Sequence, residues 1–161
     1  VRHILLETMA KISAGLLLYR LRSGGPEVFL VHPGGPFWAK KDAGAWSIPK
    51  GEPTGDEALL VAAQRECEEE TGLRVTGDFH ALDPVRRAGG KLVHAWAVEA
   101  DCDSSAIRSN TFEMEWPPRS GRQETFPEVD RAAWLDLPTA RVKITKGQLG
   151  LLDQLERLLA R

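Results

Sequence analysis

The sequence predicts an α/β fold in which helices sandwich a mixed β-sheet. Three observations predict it: apolar runs of strand length broken by turn residues, one helix-forming segment near the middle, and a leucine period at the end. The first strand pair is 12–20 and 27–32, joined by a turn at Ser23-Gly24-Gly25-Pro26. A long loop, 33–44, follows and carries Phe37, Trp38, Lys40 and Lys41; loops of that length in a compact domain are often functional. Residues 46–51, Trp-Ser-Ile-Pro-Lys-Gly, make a short extended piece that Pro49 cuts off. Thr54 and Glu57 have capping-box spacing, which starts a helix near Gly55, and Gly72 stops it after Thr71. Within it Leu60, Ala63 and Cys67 fall on one stripe facing a core. Further strands are expected near 75–82, 91–100, 111–116 and 129–135, with a turn from Arg86 to Gly90. Leu149, Leu151, Leu152, Leu155, Leu158 and Leu159 then make the tail from Gly147 an amphipathic helix.

With 161 residues the chain has room for one domain, 9–161, and residues 1–8, ahead of Met9, read as an N-terminal extension. A composition 42% hydrophobic and 27% charged is that of a globular protein, not of a disordered or membrane chain. The net charge of −2 argues against a broad nucleic-acid-binding surface, so no nucleic acid partner is expected. Cys67 and Cys102 lack metal-ligand spacing, and no stretch reads as a signal peptide or membrane span; a cytoplasmic location without a membrane partner fits best.

The chemistry concentrates at the end of the middle helix, where Glu66, Glu68, Glu69 and Glu70 crowd together. A helix C-terminus carries partial negative charge, and the Glu66/Glu70 pair at i, i+4 adds repulsion, so the arrangement costs stability without a cation. Glu52, Asp56 and Glu57 lie at the opposite, favourable end of the same segment. A solvated acidic face is the plain reading of such a run. The spacing sharpens the other one: Glu66, Glu69 and Glu70 project from one side of the helix, and Glu68 points elsewhere. Three oxygen donors without Cys or His suit Mg2+ or Mn2+, ions commonly shared with substrate phosphates.

Residues 51–73 as a whole resemble the Nudix box, with Gly51, Glu57, Arg65, Glu66, Glu69, Glu70, Gly72 and Leu73 in register over 23 residues. Cys67 departs from the usual aliphatic residue and is expected to act as a small hydrophobe. The resemblance implies a Nudix-type α/β/α sandwich and a divalent-metal-dependent pyrophosphohydrolase. It implies Glu66, Glu69, Glu70 and the Lys50 carbonyl as metal ligands, and structural roles for Gly51, Glu57, Arg65 and Gly72. Residues 46–51 look like the lead-in of dinucleoside and diphosphoinositol polyphosphate hydrolases. Phe126-Pro127-Glu128 followed by Trp134 resembles the segment where many members place one more carboxylate, Glu128 first and Glu124 second.

The expected reaction is attack of water on phosphorus in a nucleoside diphosphate derivative, ranked as a dinucleoside polyphosphate or nucleoside triphosphate ahead of ADP-ribose. Glu66, Glu69 and Glu128 are the catalytic candidates, with Glu66 or Glu128 as general base. Lys50, Lys40, Lys41, Arg119 and Arg122 are placed to meet phosphate, and Phe37, Trp38 and Trp46 to stack on a base. His32, at a strand end, is a weaker substrate candidate, whereas His80, His94 and Trp96 are assigned no role at the site. The markers of the dinucleoside polyphosphate and ADP-ribose subclasses are both missing at Gly89-Gly90-Lys91. The alternative is a Nudix-fold module that binds a nucleotide or partner without cleaving it. A homodimer is compatible with either.

Overall fold

The computed structural model describes residues 12–87 and 89–161, so the expected 1–8 extension lies outside the described residues. Strands β1 (Ile12–Arg22) and β2 (Gly25–Pro33) form an antiparallel pair, and β6 (Leu92–Glu99) lies parallel to β1 on its other side. Strand β9 (Val129–Asp136) closes one edge against β2, and the two-residue β4 (His80–Ala81) and β5 (Val85–Arg86) pair with β6. The two-residue β3 (Lys50–Gly51) pairs with the start of β1. The sheet is thus mixed, as expected.

Strand β1 is buried on both faces, which explains its nearly unbroken apolar run. Its alternation divides the core: Leu17 and Tyr19 join one cluster, Ala14, Leu16 and Leu18 the other. Helix α1 (Leu59–Thr71) covers the second cluster with Ala62, Ala63 and Cys67. Helices α2 (Leu137–Lys143) and α3 (Leu149–Leu159) cover the first with Leu137, Ala140, Leu151, Leu152 and Leu155. Burial pushes the Cys67 thiol up to about 12, in keeping with a packing role. No described helix is long and apolar enough to cross a membrane.

Several boundaries differ from expectation. Thr54 and Glu57 do bond each other, the Thr54 amide donating to Glu57 Oε1 at 3.1 Å, yet helix α1 begins at Leu59 behind Ala58. Gly55 explains the delay: its φ of 52° is left-handed, so a right-handed helix cannot start there. Gly72, at φ 78°, ends the helix as expected, its amide donating to the Glu68 carbonyl. Of 75–82, His80 and Ala81 form the strand paired with β6, and the Leu82 amide donates to the Ala95 carbonyl at 2.9 Å. Helix α2 was not anticipated, although Asp136 caps it by accepting from the Thr139 amide and Pro138 stands in its first turn. Nor was β8 (Gln123–Pro127), which pairs with β7 (Thr111–Glu115) as a ribbon outside the main sheet.

One buried contact ties the terminal layer to the segment before β3. Gln148, fully buried, accepts from the Ile48 amide at 3.0 Å and donates to Ser47 Oγ at 3.1 Å. Gln148→Leu leaves the Ile48 amide without that acceptor, and urea denaturation is expected to show a loss of about 1–3 kcal/mol. Wild-type stability would contradict this reading.

Candidate active site

Strand β3 brings Lys50 and Gly51 against α1, and the approach leaves no room for a Cβ at Gly15 or Gly51. A Cβ on Gly15 would lie 2.6 Å from the Pro49 carbonyl oxygen, and a Cβ on Gly51 would run into the Glu66 carboxylate. Gly51 is therefore set by the place of Glu66, not by a turn.

Arg65 organises the acidic end of α1. Its Nε and Nη2 donate to the two oxygens of Glu57 at 2.9 and 3.0 Å, a bidentate pair, and Nη2 also donates to the Glu52 carbonyl at 3.0 Å. Nη1 donates to Glu66 Oε1 at 2.8 Å and to Glu69 Oε2 at 3.1 Å. The Arg65 guanidinium holds Glu57 down to about 2. Glu57 thus links the preceding turn at Thr54 to the helix through Arg65.

Glu70 turns into a cleft of ≈ 160 Å³ lined also by Trp38, Ser47, Lys50, Arg87, Glu128 and Thr145. The Lys50 amide donates to Glu70 Oε1 at 3.2 Å. Burial pushes the Glu70 carboxyl up to about 8; the positive charge of Lys50 opposes this, and the charges of Glu66 and Glu128 add to it. Glu66 is raised as well, by burial against the pull of Arg65, with Glu69 and Glu128 adding. Glu66, Glu70 and Glu128 are thus near enough to repel one another.

Glu69 is placed differently. Held by Arg65, it lines a neighbouring groove with Glu68, Arg108 and Asn110. Of the three carboxylates expected to converge, Glu66 lies between the other two: it shares Arg65 Nη1 with Glu69 and is near enough to Glu70 and Glu128 for their charges to repel, while Glu69 and Glu70 face different openings. Among the described residues no three acidic, His or Cys side chains are gathered into a ready-made metal cluster. The donor set nevertheless fits a hard divalent cation. It offers only oxygens, its repulsion is what a cation relieves, and Glu66 and Glu69 each give Arg65 one oxygen only.

Glu128 is positioned by its backbone: its amide donates to the Asn110 carbonyl at 2.8 Å and its carbonyl accepts from the Gly34 amide at 2.9 Å. Glu124, the second choice, lies on β8 opposite Met114 and outside the cleft lining. Trp38 lines the cleft and is 41% exposed, with Lys41 Nζ 5.0 Å from its ring centroid. Phe37, 62% exposed, meets Trp116 edge-on at 5.6 Å. Lys40 is exposed in the same loop, and Arg119 and Arg122 stand at the β7–β8 turn; none of the three lines the cleft.

Two expectations are corrected. Trp46 is only 5% exposed, packs in the core, and donates from Nε1 to Asp42 at 2.8 Å, so its ring faces are not free to stack on a base. His32 is fully buried, bridging the Asp130 carboxylate at 2.8 Å and the Lys41 carbonyl at 2.6 Å, so it braces the loop and does not touch substrate. Arg87 and Thr145 went unnoticed. Nothing local separates Arg87 from Arg86, whose guanidinium instead bonds the Gly90 carbonyl at 3.0 Å.

Residues 9–155 match the model of the NUDIX domain. An octanoyltransferase of Myxococcus xanthus is 33% identical over 97 residues, 60% of this chain and 24% of that protein. The mRNA-decapping protein g5R of African swine fever virus is 26% identical over 113 residues, 66% of this chain and 43% of that one. The chain thus spans less than half the length of these curated relatives. Among solved structures, the C. elegans Ap4A hydrolase binary complex has a similar fold, with a TM-score of 0.65 at 24% identity over 92% of this chain and 97% of that one.

The raised Glu70 carboxyl has a stability consequence. Its folded value, about 8, lies above its ordinary 4.5, so the metal-free protein loses stability as pH rises through that window. Glu70→Gln lacks this loss. In thermal unfolding with EDTA, the Tm advantage of the variant is expected to be small at about pH 5 and full at about pH 9. An advantage independent of pH would refute it.

Proposed function

The chain belongs to the NUDIX domain family, and from that premise we propose that it hydrolyses a phosphate-phosphate bond in a nucleoside diphosphate derivative with a divalent cation as cofactor. The cleft carries this reading: Glu70 and Glu128 share it with Lys50 and Trp38, and Glu66 is close enough to repel both carboxylates. Glu66, Glu69, Glu70 and the Lys50 carbonyl are the groups that would hold the cation, Mg2+ ahead of Mn2+. Bound there, it supplies neutralisation of phosphate oxygens and acidification of water.

The remaining work falls to the chain. Glu66 or Glu128 takes the proton from the water that attacks phosphorus, and the P–O bond to the bridging oxygen breaks to give a mononucleotide and a phosphorylated remainder. The Lys50 ammonium faces the phosphates, and Trp38 offers a ring face to the base, a contact worth roughly 1–3 kcal/mol where stacking occurs. Trp46 acts from within the core, fixing the segment that leads to Lys50. Arg65 and Glu57 hold the carboxylates in place and touch no reacting atom. Dinucleoside polyphosphates and nucleoside triphosphates rank ahead of ADP-ribose, a ranking supported by the resemblance of residues 46–51.

A panel of ADP-ribose, nucleoside triphosphates and dinucleoside polyphosphates, each with Mg2+ and product identification, tests this. Turnover that EDTA abolishes is expected, with Glu70→Gln and Glu69→Gln slower by orders of magnitude while the fold is kept. Wild-type rates in these variants would sink the metal assignment. No turnover of any compound by the wild-type protein would favour the nucleotide-binding module instead.

A further inference from the structure

Arg87 stands in the cleft with Lys50, Glu70 and Glu128, although nothing in the motif calls for it. Its backbone is fixed from both sides. The Arg87 amide donates to the Lys91 carbonyl at 2.7 Å and its carbonyl accepts from the Gly90 amide at 3.0 Å. Gly147 packs so closely that a Cβ there would lie 2.9 Å from the Arg87 Cα. The Arg87 backbone is therefore held by Gly90, Lys91 and Gly147 at the edge of the cleft.

Its charge surroundings are unusual. Arg87 and Lys91 are both near enough to Lys50 to repel its ammonium. Lys91 is answered by Glu52 at 2.8 Å, whereas among the described residues Arg87 forms no ion pair. Glu70 and Glu66 offset this on the Lys50 side, whereas Arg87 has no such partner among the described residues, and an anion beside Arg87 and Lys50 relieves the repulsion that remains. A guanidinium presents a planar fork that fits two phosphate oxygens, where an ammonium acts as a point charge.

We propose that Arg87, with Lys50, forms a phosphate-binding subsite beside the carboxylates, and that it makes the protein favour chains of three or more phosphates over diphosphates. This rests on the hydrolase reading for its place in catalysis but not for binding. The carboxylate side takes up the phosphates at the bond to be cleaved. Arg87 is then left for the next phosphate along, which a triphosphate or tetraphosphate has and a diphosphate lacks.

The test is calorimetry with inorganic tripolyphosphate and pyrophosphate in Ca2+, on the wild type, Arg87→Ala and Arg87→Lys, each checked for a Tm no lower than that of the wild type. Arg87→Ala is expected to weaken tripolyphosphate by about tenfold or more and pyrophosphate by at most about threefold, the loss of a charge-assisted pair, with Arg87→Lys in between. Equal weakening of both ligands, an unchanged tripolyphosphate affinity in Arg87→Ala, or no binding of tripolyphosphate by the wild type would overturn it. In the substrate panel the same variant is expected to raise KM for triphosphates with kcat nearly kept. A wild type that binds tripolyphosphate selectively but cleaves nothing would leave the subsite standing and remove the hydrolase reading.

Discussion

A single guanidinium holds the acidic end of α1 together. Arg65 spreads its donors over Glu57, Glu66, Glu69 and the Glu52 carbonyl, so that carboxylates which would otherwise push apart are held in a fixed pattern. The helix dipole disfavours negative charge at this end, so the pattern persists only with such a counterweight. Gly51 completes the constraint, because only a residue without Cβ lets β3 lie over the Glu66 carboxylate.

From that point the rest of the site is placed by three separate elements that the sheet brings to one side. Strand β3 contributes Lys50, the start of β9 contributes Glu128, and the turn after β5 contributes Arg87. The loop that carries Trp38 is braced by His32 through the Lys41 carbonyl and by Lys143, which pairs with Asp42. Stability and chemistry are thus opposed within a few residues. The clusters on either face of β1 are apolar, and the buried Gln148 and His32 are hydrogen-bonded, while the cleft keeps a half-buried Glu70 beside two further carboxylates, a cost that packing does not explain.

The alternation of β1, the turn at 23–26, the stop at Gly72 and the final leucine period were legible because each is a local pattern with a local cause. The boundaries that moved also have identifiable causes. The start of α1 shifted because Gly55 is left-handed, and β4 is short because, of 75–82, the contact with β6 is confined to His80, Ala81 and the Leu82 amide. The β7–β8 ribbon was half seen: the polar side chains of β8 give little apolar period to read, and its pairing is with β7 alone.

What the sequence by itself determined is the identity of the acidic set and its braces, since helical geometry follows from spacing and the Gly51 to Leu73 register is local. Spacing put Glu66, Glu69 and Glu70 on one side of the helix, and the resemblance of that register to the Nudix box added Glu57 and Arg65 as its braces. Only the tertiary structure decided which of them meet. It joined Glu128 to Glu66 and Glu70, turned Glu69 towards a neighbouring groove, withdrew Trp46 and His32 into the interior and brought in Arg87. The physical reason is that burial and convergence between strands distant in sequence depend on sheet pairing and layer packing, which no single segment encodes.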